Sequence, residues 1–396
     1  MLTQLTPAGK INFNNFPKST SIFRDYFMTH KQYQLNKRVK IDTGKFCNAQ
    51  CHFCYYLPET NSKLFLEPND LKEIIPKLLA NGIREFEFSG GEPTLNKKLK
   101  EIVEAIICIS QKEDVNEEEL HFSIVTNGIR AYEVERTIPQ IKEFLFSIHG
   151  TEEVHDQIVK AKGSYARIMT FINYHVDFQH DEKEHPLLIR VNVVLTHDNI
   201  QNIETEFIDT LKWFIKNGIQ INFLPMNFWS QAFADNQFNQ DILFDGISNI
   251  IEQLYPTIKE YPNTNPQLRS EAINIRYVQM CKISAKAREF ARGHLDHYFD
   301  RHDWNKIWYP EDNIDKLNIH TNLDIEEIDS NVILESLAKE SSQSHYKDNI
   351  CAVCPESSCD GIKFVDQQNK LILETTEEKN KRIEYIDARK ARKLNK

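Results

Sequence analysis

The sequence lacks several features that would assign it to a large functional class. No apolar run approaches the roughly 20 residues that a membrane-spanning helix needs, so we expect no membrane association. Residues 1–20 lack a basic start followed by an apolar stretch, so we expect no signal peptide and a cytoplasmic location. Positively charged residues are also outnumbered, with 48 Lys and Arg against 58 Asp and Glu. The resulting net charge of -10 argues against general nucleic-acid binding, because phosphate contacts need clustered cations.

Cysteine is present at eight of the 396 positions. In a cytoplasmic protein these thiols are expected to be reduced, metal-binding or buried rather than paired as disulfides. Cys108 lies in the apolar stretch AIICIS and is therefore predicted to be a small buried side chain. Hydrophobic residues make up 40% and charged residues 27% of the chain, which is typical of a soluble globular protein with one large or two ordinary domains.

Strand and helix patterns alternate over the middle of the chain. Alternation of this kind predicts an α/β fold with a parallel sheet and helices outside it, either a partial barrel or a doubly wound sheet. Pro76 falls inside the first predicted helix and should kink or restrict it. The predicted strands are 38–44, 84–91, 121–128, 143–150, 187–196 and 219–227, and the predicted helices are 70–81, 96–111, 132–138, 164–178, 204–217 and 240–254.

The chain divides into three predicted parts. Residues 1–36 form a lead-in segment, residues 37–255 form the strand–helix domain, and residues 256–396 form a C-terminal extension. The turn-rich segment 261–267 is predicted to be a linker. The basic end at 379–396 is interpreted as a solvated tail, with docking to an acidic partner as the alternative.

Three thiols lie within the short segment CNAQCHFCYY, at Cys47, Cys51 and Cys54. The segment follows the first predicted strand, where parallel α/β folds place their chemistry. Such a loop can bind zinc or an iron–sulfur cluster. Structural zinc sites usually have four protein ligands, and His52 would be an awkward fourth because it is adjacent to Cys51. Three ligands suit a cubane cluster that leaves one iron open.

The ends of the next strands carry further motifs in the same order along the chain. The spacing Cys-x3-Cys-x2-Cys, with Phe53 before the last cysteine, resembles the signature of the radical S-adenosylmethionine (radical SAM) enzymes. Ser89-Gly90-Gly91-Glu92-Pro93 resembles the GGEP motif of that family. The loops Thr126–Gly128 and Ser147–Gly150 and the segment 155–168 are similar to later family loops, so the resemblance covers about residues 38–227.

The resemblance implies a fold and a reaction. The fold would be a partial (β/α)6 barrel with a smaller C-terminal metal-cluster domain. Cys47, Cys51 and Cys54 would hold a [4Fe–4S] cluster whose open iron binds S-adenosylmethionine. An electron from a reductant such as flavodoxin or ferredoxin would yield a 5′-deoxyadenosyl radical, which takes hydrogen from the substrate.

The substrate is not indicated by any motif. A small molecule such as a sugar or nucleotide derivative is slightly favoured, because residues 1–36 are too short for a domain that clasps a peptide. A ribosomal-peptide maturase of the same superfamily is the alternative within this class. A non-catalytic iron–sulfur or zinc protein is the alternative outside it.

The resemblance also implies cofactor-binding residues. The loop from Gly90 to Glu92 would lie near the methionine amino group, and Asn127 and Ser147 would meet the carboxylate or ribose. Two polar residues of the fifth strand could face the cofactor, because strand alternation puts both on one side. We interpret His149 and His155 as structural. The predicted cofactor-binding set is Gly90, Gly91, Glu92, Pro93, Asn127, Ser147, Arg190 and Asn192.

A second group of thiols lies near the end of the chain, at Cys351, Cys354 and Cys359. Cys281 could complete this set to four ligands, for either zinc or a second iron–sulfur cluster. Radical SAM proteins often carry an auxiliary cluster in a C-terminal extension, and the resemblance implies one here. The four cysteines are too few for the two-cluster SPASM extension, so a shortened twitch-like extension with a second [4Fe–4S] cluster is expected.

Overall fold

A computed structural model describes the strand–helix region and parts of the chain beyond it. The described residues are 38–54, 63–178, 187–200, 203, 205–225, 240–261, 273–275, 283–287, 305–308, 317–321 and 332–336. Within them, no helix is long and apolar enough to cross a membrane.

The first six described strands each precede a described helix, as the alternating pattern predicts. The strands are β1 Arg38–Asp42, β2 Glu85–Ser89, β3 His121–Thr126, β4 Ile141–Ser147, β5 Leu188–Leu195 and β6 Gln220–Pro225, followed by β7 Ile273–Ile275, β8 Asn305–Trp308, β9 Leu317–Thr321 and β10 Val332–Ser336. The helices are α1 Ile74–Ala80, α2 Leu99–Lys112, α3 Ala131–Thr137, α4 Glu152–Val159, α5 Ser164–Phe178, α6 His197–Ile200, α7 Thr205–Lys216 and α8 Gln240–Glu260. Short 3₁₀ turns lie at Pro68–Leu71, Pro93–Leu95 and Glu117–Glu119.

The described strands form one sheet in the order β10-β9-β8-β1-β2-β3-β4-β5-β6-β7. Strands β1 to β7 are parallel to their neighbours, and β8 is antiparallel to β9. In the described part of the chain the two edge strands do not pair with each other, so the sheet stays open. The predicted α/β class is thus confirmed, and the sheet is not closed, which agrees with the predicted partial barrel.

The two faces of the sheet differ in chemistry. In β5 the residues Ile189, Val191 and Val193 are buried, whereas Arg190 and Asn192 on the opposite face are partly exposed. The apolar face packs against the helices. α7, for example, buries its side chains at the helical spacing of 207, 208, 211, 214 and 215.

Phenylalanines dominate the apolar face. The ring of Phe122 stacks on those of Phe86 and Phe88, with centroids 5.6 and 6.2 Å away, and Phe144 stacks on Phe146 at 5.8 Å. Burying one such side chain stabilises the fold by about 1.5–3 kcal/mol. The helix-covered face therefore holds the strands in place, and the polar face is left for the site.

Several details differ from the sequence expectations. The first helix begins at Ile74 rather than at residue 70, because the ring of Pro76 would clash with the carbonyl of Lys72 in a longer helix. The helices Glu152–Val159 and His197–Ile200 and the strands β7 to β10 were not predicted. The prediction that Cys108 is buried is wrong: it is exposed, because α2 turns its Ile106 and Ile107 side toward the sheet.

Candidate metal-cluster and cofactor site

Four loops leave the same end of the sheet, because the strands that precede them are parallel. They are the cysteine loop after β1 (47–54), the glycine loop after β2 (90–93), the asparagine loop after β3 (127–128) and the histidine loop after β4 (148–150). Hydrogen bonds link the cysteine, glycine and asparagine loops to one another.

The cysteine loop is anchored to the helix after β4. The backbone N–H of Gln50 donates to the carbonyl of Val159 over 3.0 Å, and Ala49 packs with Ile158 and Val159 in a small apolar cluster. Cys47, Cys51 and Phe53 contact this cluster. The thiols therefore stand on an apolar support and remain partly accessible.

Two hydrogen bonds within the cysteine loop hold its backbone close to the thiols. The backbone N–H of Cys54 donates to the carbonyl of Cys51 over 3.0 Å, and the N–H of Ala49 donates to Sγ of Cys47 over 3.4 Å. A backbone N–H aimed at a sulfur favours its thiolate form. The loop thus supplies part of the environment that a metal-binding thiolate needs.

The thiols affect one another electrostatically. Burial raises the pKa of Cys47 to about 11, with the N–H of Ala49 opposing the rise and the charges of Glu92 and Cys54 adding to it. The pKa of Cys51 is raised by burial and then by Cys54 and Cys47. At neutral pH both groups are protonated without a metal, so a bound metal must displace their protons.

The three thiols of the cysteine loop are the kind of donor set that a cubane cluster with one open iron takes. Across the described residues, no three His, Cys, Asp or Glu side chains already stand together around a single ion site. A cubane does not need that arrangement, because each cysteine binds a different iron. His52, the awkward fourth candidate for zinc, has its Nε2 3.2 Å from Oδ2 of Asp198.

The glycine loop lies directly against the chain that leads into Cys47. The N–H of Gly91 donates to the carbonyl of Gly44 over 2.8 Å, and the N–H of Glu92 donates to the carbonyl of Phe46 over 2.9 Å. A Cβ at Gly91 would lie 2.3 Å from the carbonyl oxygen of Lys45. A Cβ at Gly90, where φ is +125°, would lie 2.2 Å from that of Gly44. The two glycines therefore allow these backbones to touch.

The carboxylate of Glu92 joins the glycine loop to the asparagine loop. It is buried and accepts hydrogen bonds from Oγ1 of Thr126 and the N–H of Asn127, both over 2.8 Å, and from the N–H of Thr94 over 3.2 Å. Burial raises the pKa of Glu92, and these hydrogen bonds oppose that rise. Pro93 is buried and opens the 3₁₀ turn that carries Thr94. Contact of Gly90, Gly91 and Glu92 with the methionine amino group stays a prediction.

A second bond joins the asparagine loop to the cysteine loop. Nδ2 of Asn127 donates to Oδ1 of Asn48 over 2.7 Å, and Oδ1 of Asn127 accepts from the N–H of Ile129 over 3.2 Å. Asn48 was not singled out from the sequence. Its position directly after the first cysteine is the signal that could have marked it.

The histidines lie beneath the cysteine loop. The ring of Phe53 packs edge-on against His149, with centroids 4.9 Å apart, and His149 stacks on His155 at 5.6 Å. Nδ1 of His149 accepts from the N–H of Val194 over 3.1 Å. Burial lowers the pKa of both histidines, to about 4 for His155, so both are neutral at pH 7. These contacts agree with a structural interpretation.

The remaining predicted cofactor residues lie on the polar face of the sheet. Ser147 is the last residue of β4 and pairs in register with Asn192. Arg190 lies nearer the start of β5, where it forms an ion pair with Glu143, and its Nη1 donates to Oε1 of Gln220 over 3.4 Å. Glu143 was not identified from the sequence. Contact of Ser147, Arg190 or Asn192 with a cofactor stays a prediction.

The second group of thiols cannot be placed against this site. Cys281, Cys351, Cys354 and Cys359 lie outside the described residues. The described strands β7 to β10 do fall in the same C-terminal part of the chain, where β7 extends the sheet beside β6 and β8 extends it beside β1.

Comparison with known proteins identifies the family that this region matches. Residues 41–204 match the family described as the Radical SAM superfamily. GTP 3′,8-cyclase of Haemophilus ducreyi is 25% identical over 196 residues, 48% of this chain and 52% of that protein. GTP 3′,8-cyclase of Aquifex aeolicus is 22% identical over 277 residues, 65% of this chain and 77% of that protein.

Solved structures also resemble the fold. SuiB of Streptococcus suis, in a structure with precursor peptide SuiA, is 16% identical with a TM-score of 0.41, covering 63% of this chain and 52% of that one. The match to the Haemophilus ducreyi protein likewise spans about half of its length, 52%.

Proposed function

We propose that this chain, a member of the radical SAM superfamily through residues 41–204, is an enzyme that cleaves S-adenosylmethionine and takes hydrogen from a small-molecule substrate. The observation that carries the proposal is the assembly of the cysteine, glycine and asparagine loops at one end of an open parallel sheet. A bound [4Fe–4S] cluster would supply the electron that splits the sulfonium bond and yields a 5′-deoxyadenosyl radical.

The residues present have distinct tasks in this proposal. Cys47, Cys51 and Cys54 would hold the cluster as thiolates and would leave one iron for S-adenosylmethionine. The loop from Gly90 to Pro93, together with Asn127, holds the methionine part of the cofactor. The polar face of the sheet carries Ser147, Arg190 and Asn192, and the rest of the cofactor and the substrate would lie against that face.

The substrate class is proposed to be a sugar or nucleotide derivative. The two relatives described above are both named for a reaction of GTP, a nucleotide, and the longer of those alignments covers 65% of this chain. GTP is therefore the first substrate to test. A ribosomal peptide is the alternative substrate within the same superfamily.

The test is anaerobic reconstitution of the full chain with iron and sulfide, followed by reduction with dithionite. Wild type is expected to convert S-adenosylmethionine to 5′-deoxyadenosine, and a C51A variant is expected to form none. C108A is the matched control, because Cys108 is an exposed thiol on the outer helix α2. If wild type holds its cluster but forms no 5′-deoxyadenosine, the enzyme proposal fails and a non-catalytic cluster protein remains.

We further propose a second [4Fe–4S] cluster on Cys281, Cys351, Cys354 and Cys359. A chain with both clusters should hold about eight irons, because each cubane contains four. A C281S variant is expected to hold about four and to keep the ability to cleave S-adenosylmethionine. About four irons in wild type, or an unchanged content in C281S, would contradict this assignment. In the cell, a flavodoxin or ferredoxin would supply the electrons.

A further inference from the structure

A row of polar residues crosses three neighbouring strands on the polar face of the sheet, which is the inner face of the partial barrel. Ser147 of β4 pairs in register with Asn192 of β5, and Asn192 pairs in register with Asn222 of β6. Their side chains share one face because residues paired in register on neighbouring strands point to the same side of the sheet. Since Ser147 ends β4, the row lies at the end of the sheet from which the cofactor loops extend.

Asn222 has an unused hydrogen-bonding atom in this row. Its side chain is only 2% exposed, and its Nδ2 donates to Oδ1 of Asn192 over 2.9 Å. Its own Oδ1 is buried and accepts no hydrogen bond from the part of the chain that the structure describes. A buried acceptor without a donor destabilises a protein, so native structures rarely keep one unless another group reaches it.

The charges next to the row are already paired. Glu143 lies on β4 and forms ion pairs with Arg190 of β5 and Arg38 of β1, the second over 3.8 Å. Oε2 of Glu143 is also 2.5 Å from Nε2 of His121. Arg38 also forms ion pairs with Glu85 and Glu87, so both arginines of this layer have carboxylate partners, and the row itself consists of uncharged serine and asparagine side chains.

We propose that Asn192 and Asn222 form a substrate subsite that accepts a hydrogen bond from an uncharged hydroxyl or amino group. This inference rests on the proposed function, because it assumes a substrate inside the sheet. Oδ1 of Asn222 needs a donor, whereas phosphate and carboxylate oxygens only accept. The anionic end of a nucleotide is thus excluded from this position, and its sugar or base suits it.

The experiment measures binding of two uncharged donors, guanosine and glucose, and of inorganic triphosphate as an acceptor-only probe. It uses the full chain with its cluster and S-adenosylmethionine but without reductant, so no turnover occurs. Calorimetric titration is run on wild type, N222L and N222A. N249L is the matched control, because Asn249 is exposed on the outer helix α8 and bonds only Gln253 among the interactions described.

At least one of guanosine and glucose is expected to bind wild type and N249L, and to bind both Asn222 variants about tenfold or more weakly. Triphosphate affinity should be the same in all four proteins. The inference is overturned if neither donor binds wild type, if binding survives in N222L and N222A, or if triphosphate weakens equally. It is also overturned if thermal unfolding shows that both Asn222 variants fail to fold, since Asn222 would then be structural. Failure of the proposed function is read separately, as absence of 5′-deoxyadenosine in reduced wild type.

Discussion

Glu92 provides the sharpest test of how the loops are held together. Its carboxylate accepts three hydrogen bonds, from Oγ1 of Thr126 and from the N–H groups of Asn127 and Thr94. An E92A change removes the acceptor for all three donors at a buried position. Leaving a buried donor unpaired costs about 1–3 kcal/mol. Since relaxation and entering water recover part of this loss, we expect E92A to lower the free energy of unfolding by about 3–5 kcal/mol.

The E92Q change separates the hydrogen bonds from the charge. Glutamine keeps one carbonyl oxygen, and its amide can donate to Oγ1 of Thr126, so one N–H group is left facing another donor. Burial raises the pKa of Glu92, which means that its negative charge is itself destabilising in the fold. Removing that charge offsets part of the lost bond, and we expect E92Q to cost only about 1–2 kcal/mol.

The assay is urea unfolding of the iron-free protein under reducing conditions, so that the result does not depend on the cluster. E101A is the control, because Glu101 is exposed on α2 and bonds Lys98 over 2.9 Å. Such surface changes stay within about 0.5 kcal/mol. Slower exchange of the Asn127 amide proton in wild type than in E92A would support the bond directly. If E92A unfolds like E101A, the carboxylate does not hold the loops and the reasoning is wrong.

Three further predictions follow from the same geometry. A G91A change should lower the free energy of unfolding of the iron-free protein in urea by about 3 kcal/mol or more, because the added Cβ would lie 2.3 and 2.4 Å from two backbone oxygens. G163A is the control and should cost about 1 kcal/mol, because a Cβ at Gly163 has nothing within 4 Å. Alkylation of Cys47 by iodoacetamide, followed by mass spectrometry, should accelerate about tenfold per pH unit up to pH 10, because its pKa is about 11 and only the thiolate reacts. Exposed Cys108 should react faster than Cys47 at pH 8, and equal rates would contradict the burial of the cysteine loop.

Hydrophobic periodicity and the positions of turn and capping residues predicted most of the strand–helix region, because each element there has one apolar side. Helix α7 shows this, since its five buried residues repeat at helical spacing. The predicted start of α1 was four residues too early. The ring of Pro76 would clash with the carbonyl of Lys72 in a longer helix, and this effect outweighed the capping signal at Asp70. Cys108 was misplaced because an apolar run does not show which of its members faces the sheet.

The candidate site was only partly predictable for a different reason. The motifs marked Cys47, Gly91 and Glu92 as functional, but they did not show that the glycines touch the cysteine loop or that Glu92 bonds the next loop. Those contacts join residues that are far apart in sequence, and their pairing depends on strand order. Asn222 carries no motif at all, and only its register beside Asn192 and its burial reveal it.

The contrast between the two faces of the sheet explains how an open sheet can keep a polar interior. The outer face is covered by helices packed on phenylalanines, so its burial stabilises the fold. On the inner face, charges pair sideways between strands, with Arg38 reaching Glu87 over 2.8 Å and Arg190 reaching Glu143. Such pairs add little stability compared with apolar packing of the same volume. Because these charges pair with one another within the sheet, the inner face keeps a layer of paired charged side chains next to the polar row of Ser147, Asn192 and Asn222.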